Sequence, residues 1–383
     1  MNFFDSYTDY CRQLQKVQKF RTLPKCPTGK QKGLIDFSTN DYLGLSNHPA
    51  LLEAAYRCAI QHGAGATGSR LLSGNRRIFE ELETRIAQDK KTEAALIFNS
   101  GYQANATVLA ALLDSKILGK KPLVFFDKLN HASLYHGVFL SGAELIRYHH
   151  NDFQDLENKL RAAQNEARPK FIVSETLFGM DGDVADIPRL IALAKTHEAF
   201  LYLDEAHATG VLGERGYGLS TLHDFKKIPH LIMGTFSKGL GVFGAYIACC
   251  HNLKEYLINK STGFIYSTAL SPMVIGAVQA AWELLPSLEE QRKLLEQRAD
   301  DLRKNLQQRG FDTGASTTHI IPIILGTEEK TLQAKEKLLQ KNILVSAIRP
   351  PTVPPSKSRL RLALTTKHSN EDIEKFLSAI SEL

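Results

Sequence analysis

The sequence predicts an α/β fold, with a mostly parallel central sheet, helices on both faces and a smaller C-terminal α+β domain. Short apolar runs recur along the earlier part of the chain, helical patterns lie between several of them, and the order of elements changes after a long helical region. Alternation of strand and helix is typical of parallel sheets, because a crossover helix lets the next strand start in the same direction.

The candidate strands are short runs of bulky apolar side chains at residues 94–98, 123–126, 171–173, 200–203 and 228–233. Helical patterns occupy residues 103–113, 152–165 and 187–196. Ligands of parallel sheets bind at the carboxyl ends of the strands. Polar residues that directly follow a strand are therefore the first candidates for a functional site.

The smaller domain is predicted from a change of pattern after the helical residues 272–308. Strands are expected at residues 318–325, 343–348 and 359–364, and helices at residues 328–340 and 370–383. The predicted division is an N-terminal helix and arm at residues 1–45, a large domain at 46–285 and a small domain at 286–383. Four prolines stiffen residues 349–355 and would hold Arg349 rigidly.

Composition excludes several classes of protein. The 383 residues are 43% hydrophobic and 23% charged, as in ordinary globular proteins. The net charge of +6 is spread along the chain, which gives no support to a nucleic-acid partner. No run approaches the roughly 18 apolar residues that span a membrane. Residues 1–20 have helical spacing without a signal-peptide core, and the five cysteines (Cys11, Cys26, Cys58, Cys249 and Cys250) show no disulfide pattern, so a cytoplasmic protein is expected.

The most informative residues are Asp-Glu-Ala-His at 204–207 and the loop that contains Lys238. Together they supply the groups that hold and use pyridoxal phosphate (PLP). Lys238 would form a Schiff base with the aldehyde, Asp204 would pair with the pyridine nitrogen, and His207 would hydrogen-bond near the phenolic oxygen. Thr235 and Ser237 would donate to the phosphate.

Two other cofactors compete for the same residues. Asp-Glu-Ala-His is also a nucleotide-binding box of ATP-dependent nucleic-acid enzymes, but the chain has no G-x-x-x-x-G-K-[ST] loop. Residues 239–244 spell the dinucleotide motif G-x-G-x-x-G, yet a strand-like run follows them instead of a helix. PLP is therefore the favoured cofactor.

Three further segments carry candidate chemistry. His131 follows a strand and would stack on a flat cofactor or pass a proton, although a lone histidine is more often structural. Gly101 and Tyr102 open a helix, which suits either a phosphate or a simple helix cap. Residues 149–152, His-His-Asn-Asp, are interpreted as a loop and helix cap, and no metal site is expected because a third spaced ligand is missing.

From residue 21 onward the chain resembles the α-oxoamine synthases, fold-type I PLP enzymes that join an amino acid to an acyl thioester with loss of carbon dioxide. The resemblance rests on ordered blocks at residues 39–45, 68–75, 130–134, 204–210, 234–239 and 265–268. Residues 265–268 and 347–354 resemble most the branch that condenses L-alanine with pimeloyl-ACP or pimeloyl-CoA in biotin synthesis. Alternatives are a glycine C-acetyltransferase of the same family and a non-catalytic relative that keeps the fold.

The resemblance assigns roles position by position. The implied catalytic residues are Lys238, His131, Asp204 and His207. The implied cofactor-binding residues add Gly101, Tyr102, Glu175, Gly179, Thr235, Ser237, Ser267 and Thr268, the last two reaching the neighbouring subunit of a homodimer. The implied substrate-side residues are Arg21, Asn40, His131, Arg349 and Thr352, with Arg349 as the carboxylate clamp. Gly179 departs from the family, which often has a cofactor-contacting serine there; the lost hydrogen bond is expected to cost about 1 kcal/mol.

Overall fold

The computed structural model describes residues 3–17, 19–23 and 33–382. The helices are α1 Asp5–Lys16, α2 Pro49–His62, α3 Arg77–Asp89, α4 Gly101–Leu112, α5 Ser115–Leu118, α6 Ala132–Ser141, α7 Phe153–Ala162, α8 Ile187–Thr196, α9 His251–Lys260, α10 Thr262–Ile265, α11 Pro272–Leu284, α12 Glu289–Gln308, α13 Glu328–Gln340 and α14 Asn370–Ile380. The strands are β1 Ile35–Asp36, β2 Ala94–Phe98, β3 Leu123–Asp127, β4 Glu144–Tyr148, β5 Lys170–Glu175, β6 Phe200–Asp204, β7 His230–Thr235, β8 Ala245–Cys249, β9 Ile320–Gly326, β10 Ile343–Leu344, β11 Ser346–Ile348 and β12 Ser358–Ala363.

The chain forms two compact units. The larger comprises Asn40–Gly179 and Val184–Leu294, and the smaller comprises Met1–Thr39, Met180–Asp183 and Leu295–Leu383. The domain boundaries at residues 45 and 285 stay a prediction.

A seven-stranded sheet forms the centre of the larger unit, in the order β2-β8-β7-β6-β5-β3-β4. The pairs from β7 through β4 are parallel, whereas β8 is antiparallel to both of its neighbours. The predicted mostly parallel sheet is confirmed. The glycine-rich residues 239–244 lead into strand β8, as expected, and not into the helix that a dinucleotide site requires.

Three adjacent strands of this sheet each end on a polar residue. β5 ends at Glu175, β6 at Asp204 and β7 at Thr235, and Glu175 lies opposite Asp204 in the register. Each strand has a buried and mainly apolar centre, which fixes its position in the sheet. The fold thereby gathers three candidate site residues at one edge.

Two predicted elements are divided. The helical residues 272–308 form α11, a short 3₁₀ turn at Leu285–Leu288, and α12. Pro286 lies at this break, where it cannot donate a helical hydrogen bond. The predicted strand 343–348 is two strands in two sheets, because β10 pairs with β1 and β11 pairs with β12.

The smaller unit has the predicted α+β character. β11, β12 and β9 form an antiparallel sheet, and α13 and α14 accompany it. The predicted N-terminal helix is α1. Among the described residues, no helix is long and apolar enough to cross a membrane. Cys26 lies outside the described residues, and the other four cysteines are free thiols.

Candidate active site

A cavity of about 220 Å³ opens at the carboxyl ends of β5, β6 and β7 in the larger unit. Nine of the residues predicted to hold the cofactor line it: Gly101, Tyr102, His131, Glu175, Asp204, His207, Thr235, Ser237 and Lys238. Candidates that are far apart in sequence therefore share one site. Its other lining residues include Asn105 and Ser133, to which the sequence assigned no role.

Asp204 is held rigidly at the end of β6. Its side chain is buried, with Oδ2 accepting from Asn105 Nδ2 at 2.7 Å and Oδ1 accepting from the Ala206 backbone N–H at 2.8 Å. Asn105 is itself oriented, because its Oδ1 accepts from the Tyr202 hydroxyl at 2.8 Å. Such a carboxylate is preorganised to meet a protonated ring nitrogen.

His207 connects Tyr42 to Lys238. Its Nδ1 lies 2.7 Å from the Tyr42 hydroxyl and its Nε2 lies 2.9 Å from Lys238 Nζ. Tyr42 donates its hydroxyl proton to Asn40 Oδ1 at 3.1 Å. Tyr42 and Lys238 thus lie against the two ring nitrogens of His207 and fix the orientation of the imidazole.

His131 both caps α6 and lines the cavity. Its Nδ1 accepts from the Ser133 N–H at 3.2 Å, and its own backbone N–H donates to Glu175 Oε1 at 2.6 Å. Burial of the ring lowers the pKa of His131, and the nearby Asp204 carboxylate opposes this shift. Burial, reinforced by Asp204, raises the pKa of Glu175 well above its ordinary value. Both shifts favour the neutral form of the side chain, imidazole for His131 and carboxylic acid for Glu175. His131 can therefore serve as a helix cap and still face a cofactor in the cavity.

The start of α4 also serves two purposes. Ser100 is the helix cap, since its hydroxyl accepts from the Gln103 N–H at 3.2 Å. Gly101 and Tyr102 nevertheless line the cavity, and the Tyr102 hydroxyl is hydrogen-bonded to His136 Nδ1. The start of α4 therefore combines the two predicted alternatives, a helix cap and a position on the wall of a ligand site.

Thr235 and Ser237 form a hydroxyl pair beside Lys238. Their oxygens are 2.8 Å apart, and Thr235 also donates to the Gly244 carbonyl at 2.8 Å. These bonds place both hydroxyls on the cavity wall, where they could meet an anionic group.

Gly179 lies directly against His207. A Cβ added at Gly179 would be 2.1 Å from His207 Nε2, closer than any real contact. The imidazole occupies the space that a serine side chain would need. The sequence suggested only a lost hydrogen bond at this position, and the steric relation to His207 was not foreseen.

The remaining predicted residues are not in the lining of this cavity. Ser267 accepts from Gln103 Nε2 at 2.7 Å, and the Thr268 carbonyl accepts from Asn99 Nδ2 at 2.7 Å. Arg21, Arg349 and Thr352 belong to the smaller unit. There Arg21 Nη2 lies 3.5 Å from Thr352 Oγ1, and the Thr352 N–H donates to the Arg349 carbonyl at 3.0 Å.

The predicted loop and helix cap at residues 149–152 is confirmed. Asp152 caps α7 by accepting from the Asp155 N–H at 2.9 Å. His149 pairs with Asp155, and His150 pairs with the buried Asp127. Both imidazoles therefore have structural partners.

Sequence reasoning missed Tyr42, Asn105 and Ser133 as individual participants. Tyr42 and Ser133 lie inside blocks that carried the family resemblance, so their position was a usable signal. Asn105 is a buried amide on the otherwise apolar face of α4, and a polar residue at such a position commonly has a specific partner.

The donor set fits PLP on chemical grounds. A buried carboxylate, an amine within hydrogen-bond reach of an imidazole, and two hydroxyls near a helix start surround one small cavity. These are the groups that a pyridine nitrogen, an aldehyde, a phenolic oxygen and a phosphate require.

Comparison with known proteins agrees with this chemistry. Residues 32–380 match the family model of class I and II aminotransferases. An 8-amino-7-oxononanoate synthase from Gluconacetobacter diazotrophicus is 46% identical over 351 residues, covering 91% of this chain and 87% of the relative. A Paramagnetospirillum magneticum protein that provisionally bears the same name is 49% identical over 378 residues, covering 98% of this chain and 95% of the relative. The chain belongs to the 8-amino-7-oxononanoate synthase family, within the class I and II aminotransferases.

Solved structures of related enzymes share the fold of this chain. A serine palmitoyltransferase variant from S. paucimobilis with a bound PLP–myriocin aldimine superposes with a TM-score of 0.89 at 26% identity, covering 99% of this chain and 96% of that one. The 8-amino-7-oxononanoate synthase from Francisella tularensis has a TM-score of 0.79 at 27% identity, covering 91% and 97%. The protein is a PLP-dependent acyltransferase of fold-type I, and the predicted family and cofactor are confirmed.

Proposed function

We propose that the protein condenses L-alanine with a pimeloyl thioester to give 8-amino-7-oxononanoate, carbon dioxide and the free carrier. Family membership supports a reaction of this type in biotin synthesis. The observation that carries the proposal is the Lys238–His207 contact of 2.9 Å beside the rigidly held Asp204. When bound, PLP supplies an electrophilic aldehyde and an electron sink for a carbanion next to the amino group.

Asp204 would hold the proton of the ring nitrogen in this reaction. Its two oxygens are already oriented by Asn105 and Ala206, so little reorganisation is needed when the positive nitrogen arrives. A carboxylate paired with a cationic group typically changes the pKa of that group by about 1 to 3 units. Asp204 would thereby favour the protonated form of a bound pyridine ring, which is the form that withdraws electrons.

Lys238 would take the α-proton of alanine at Nζ and return a proton before product release. His207 Nε2 lies 2.9 Å from this amine and would keep it directed into the cavity. Tyr42 and Asn40 orient His207 in turn. His131 would stack on the cofactor, since its ring lines the cavity while its cap to α6 fixes the loop.

The substrate-side assignments and the homodimer rest on the family pattern. Arg349 would bind the amino-acid carboxylate through its planar guanidinium, with Arg21, Asn40 and Thr352 as further substrate contacts. Ser267 and Thr268 would reach the phosphate in the partner subunit. The thioester carrier is either acyl carrier protein or coenzyme A.

A direct test compares two substrate pairs on the purified protein. We expect turnover with L-alanine plus pimeloyl thioester to exceed turnover with glycine plus acetyl-CoA by at least about tenfold, the size of a discrimination worth 1.4 kcal/mol. The opposite preference would assign the protein to glycine C-acetyl transfer. Pimeloyl-ACP and pimeloyl-CoA are to be compared side by side to identify the carrier.

The role of Lys238 is tested by Lys238→Ala. This variant should lose turnover and the visible absorbance of bound PLP, because no other amine lines the cavity among the described residues. Lys195→Ala, a change at an exposed lysine on α8, should retain both. Turnover by Lys238→Ala would contradict the proposed mechanism.

A further inference from the structure

We propose that the buried ion pair of Lys90 and Glu205 is a positioning element for Asp204 and His207. Glu205 directly follows Asp204 and precedes His207 by two residues, yet neither it nor Lys90 lines the cavity. Both side chains are completely buried. The inference concerns the cofactor site alone and is independent of which amino acid or thioester reacts.

The Glu205 carboxylate is surrounded by donors from two other segments. It pairs with the Lys90 ammonium, accepts from the Ser220 N–H at 2.7 Å and accepts from the Ser220 hydroxyl at 2.8 Å. Lys90 also donates to the Tyr217 carbonyl at 2.7 Å. The strand end that carries Asp204 is thereby attached to the end of α3 and to the short 3₁₀ helix Leu219–Leu222, which contains Ser220.

The backbone of Glu205 organises the turn that carries His207. Its N–H donates to the Met233 carbonyl of β7 at 2.7 Å. Its carbonyl accepts from the N–H groups of Ala208 and Thr209 at 3.0 and 2.9 Å, closing a tight turn around His207. A displacement of Glu205 would therefore move the residues on both sides of it.

The backbone at Gly218 passes so close to this ion pair that a side chain there would collide with it. A Cβ added at Gly218 would lie 2.4 Å from Glu205 Oε2 and 2.8 Å from Lys90 Nζ. Gly218 also has a φ of +100°, a conformation that other residues rarely adopt. A glycine at this position accommodates the charged pair without strain.

Stability alone does not explain such a pair. Two buried charges are costly to desolvate, and apolar replacements of similar volume are often as stable or more stable. Burial accordingly lowers the pKa of Lys90, although Glu205 opposes the shift. The pair instead orients the Glu205 carboxylate, because each hydrogen bond restricts its position. Through the carboxylate it also fixes the backbone beside Asp204.

The test uses the double variant Lys90→Met/Glu205→Gln, which removes both charges and leaves no buried charge unpaired. Two quantities are measured on the full-length protein: the dissociation constant of PLP and the pH dependence of the visible absorbance of bound PLP. We expect the dissociation constant to rise roughly 10- to 100-fold, which corresponds to a loss of about 1.4 to 2.8 kcal/mol of binding free energy. The pH midpoint of the absorbance should also shift, because Asp204 and His207 would have a different position relative to the cofactor ring in the double variant.

Asp89→Asn is the matched control. Asp89 precedes Lys90, pairs with Arg85 and accepts from Trp282 Nε1 at 2.8 Å, so the change weakens the same helix end without contacting Glu205. This control should lower the melting temperature and leave both PLP readouts unchanged. A double variant with the PLP affinity and pH profile of the original protein would overturn the proposal.

A milder change keeps the proposal testable if the double variant does not fold. Ser220→Ala removes one hydrogen bond to Glu205 and leaves the ion pair intact. We expect the PLP dissociation constant to rise about threefold or more, the effect of one hydrogen bond. An unchanged dissociation constant in Ser220→Ala would contradict a positioning role for the Glu205 carboxylate.

Discussion

At the scale of single residues, His207 shows how closely the site is packed. It is hydrogen-bonded to Lys238 and Tyr42, and Gly179 lies against its Nε2 edge. The missing side chain at Gly179 is therefore a steric requirement of the imidazole position.

The substitution Gly179→Ala should displace His207. The added Cβ cannot remain 2.1 Å from Nε2, so the ring must lose its bond to Tyr42, to Lys238 or to both. We expect the free energy of unfolding without PLP to fall by about 1 to 2 kcal/mol, measured in urea. Gly65→Ala is the control, because a Cβ there meets nothing within 4 Å. Equal stability of the two variants would refute the steric argument.

His319 supplies a pH-dependent contribution to stability. Complete burial, followed by the charge of Arg361, lowers its pKa to about 3. The folded state binds this proton more weakly than the unfolded state, so stability is present above the ordinary pKa near 6.5 and is lost as pH falls toward 3.

The size of this contribution can be measured by urea unfolding at pH 7.5 and pH 5.0. The original protein should lose about 2 kcal/mol more stability between these values than His319→Gln does, because glutamine does not titrate. The comparison within each protein removes the effect of the substitution itself. Equal losses in the two proteins would show that His319 does not couple to protonation.

At the scale of elements, the contact between α4 and α6 sets the positions of Asn105 and His131. α4 carries Gly101, Tyr102 and Asn105, and α6 begins immediately after His131. Asn105 Nδ2 is shared between Asp204 at 2.7 Å and Ser133 of α6 at 2.9 Å. The two helices can approach this closely because Gly137 faces α4: its Cβ would lie 2.6 Å from Leu109 and 2.7 Å from the Asn105 carbonyl.

The substitution Gly137→Ala should separate these helices. Overpacking of this kind costs about 1 to 3 kcal/mol of stability. Because the strain falls on Asn105, we also expect weaker PLP binding, measured by titration of the apo protein. Gly276→Ala is a matched control, since its Cβ would be equally crowded, 2.7 Å from the Ala54 carbonyl, but at the contact of α11 with α2. Loss of PLP affinity in both variants, or in neither, would contradict the specific role of the α4–α6 contact.

At the scale of the whole molecule, the proposed homodimer offers an account of an exposed apolar stripe on α2. Leu52, Tyr56 and Ile60 are 57%, 62% and 72% exposed, and their spacing places them on one face of the helix. Contiguous apolar surface of this kind commonly marks a protein interface.

A charge at the centre of this stripe should weaken the dimer. Tyr56→Glu would bury a carboxylate without a partner, which costs at least several kcal/mol. We expect sedimentation velocity to show a monomer, and we expect turnover to fall because Ser267 and Thr268 no longer reach the partner's site. Leu222→Glu, the same kind of change at another exposed apolar residue, should leave the dimer intact. A dimeric and active Tyr56→Glu would exclude this face from the interface.

Local patterns predicted much of the fold. The strand at Ala94–Phe98 and the helices Ile187–Thr196 and Glu328–Gln340 have the predicted bounds, because their periodicity and flanking caps are written within the segment. The division of residues 343–348 between two sheets was not predictable in this way. Its cause is pairing with β1 and β12, which lie far away in sequence.

In the site, too, the sequence predicted which residue types are present, whereas their partners depend on contacts between distant segments. The residue types at 204–207 and 235–238 suit PLP, and the sequence favoured PLP once the missing phosphate loop and the strand after residue 244 had removed the two competing cofactors. Only the tertiary structure decided that Asn105 orients Asp204, that Tyr42 orients His207, that Gly179 makes room for the imidazole, and that a distant Lys90 meets Glu205. The chemistry of a site depends on which groups are present, whereas their orientation depends on packing between segments that no local pattern relates.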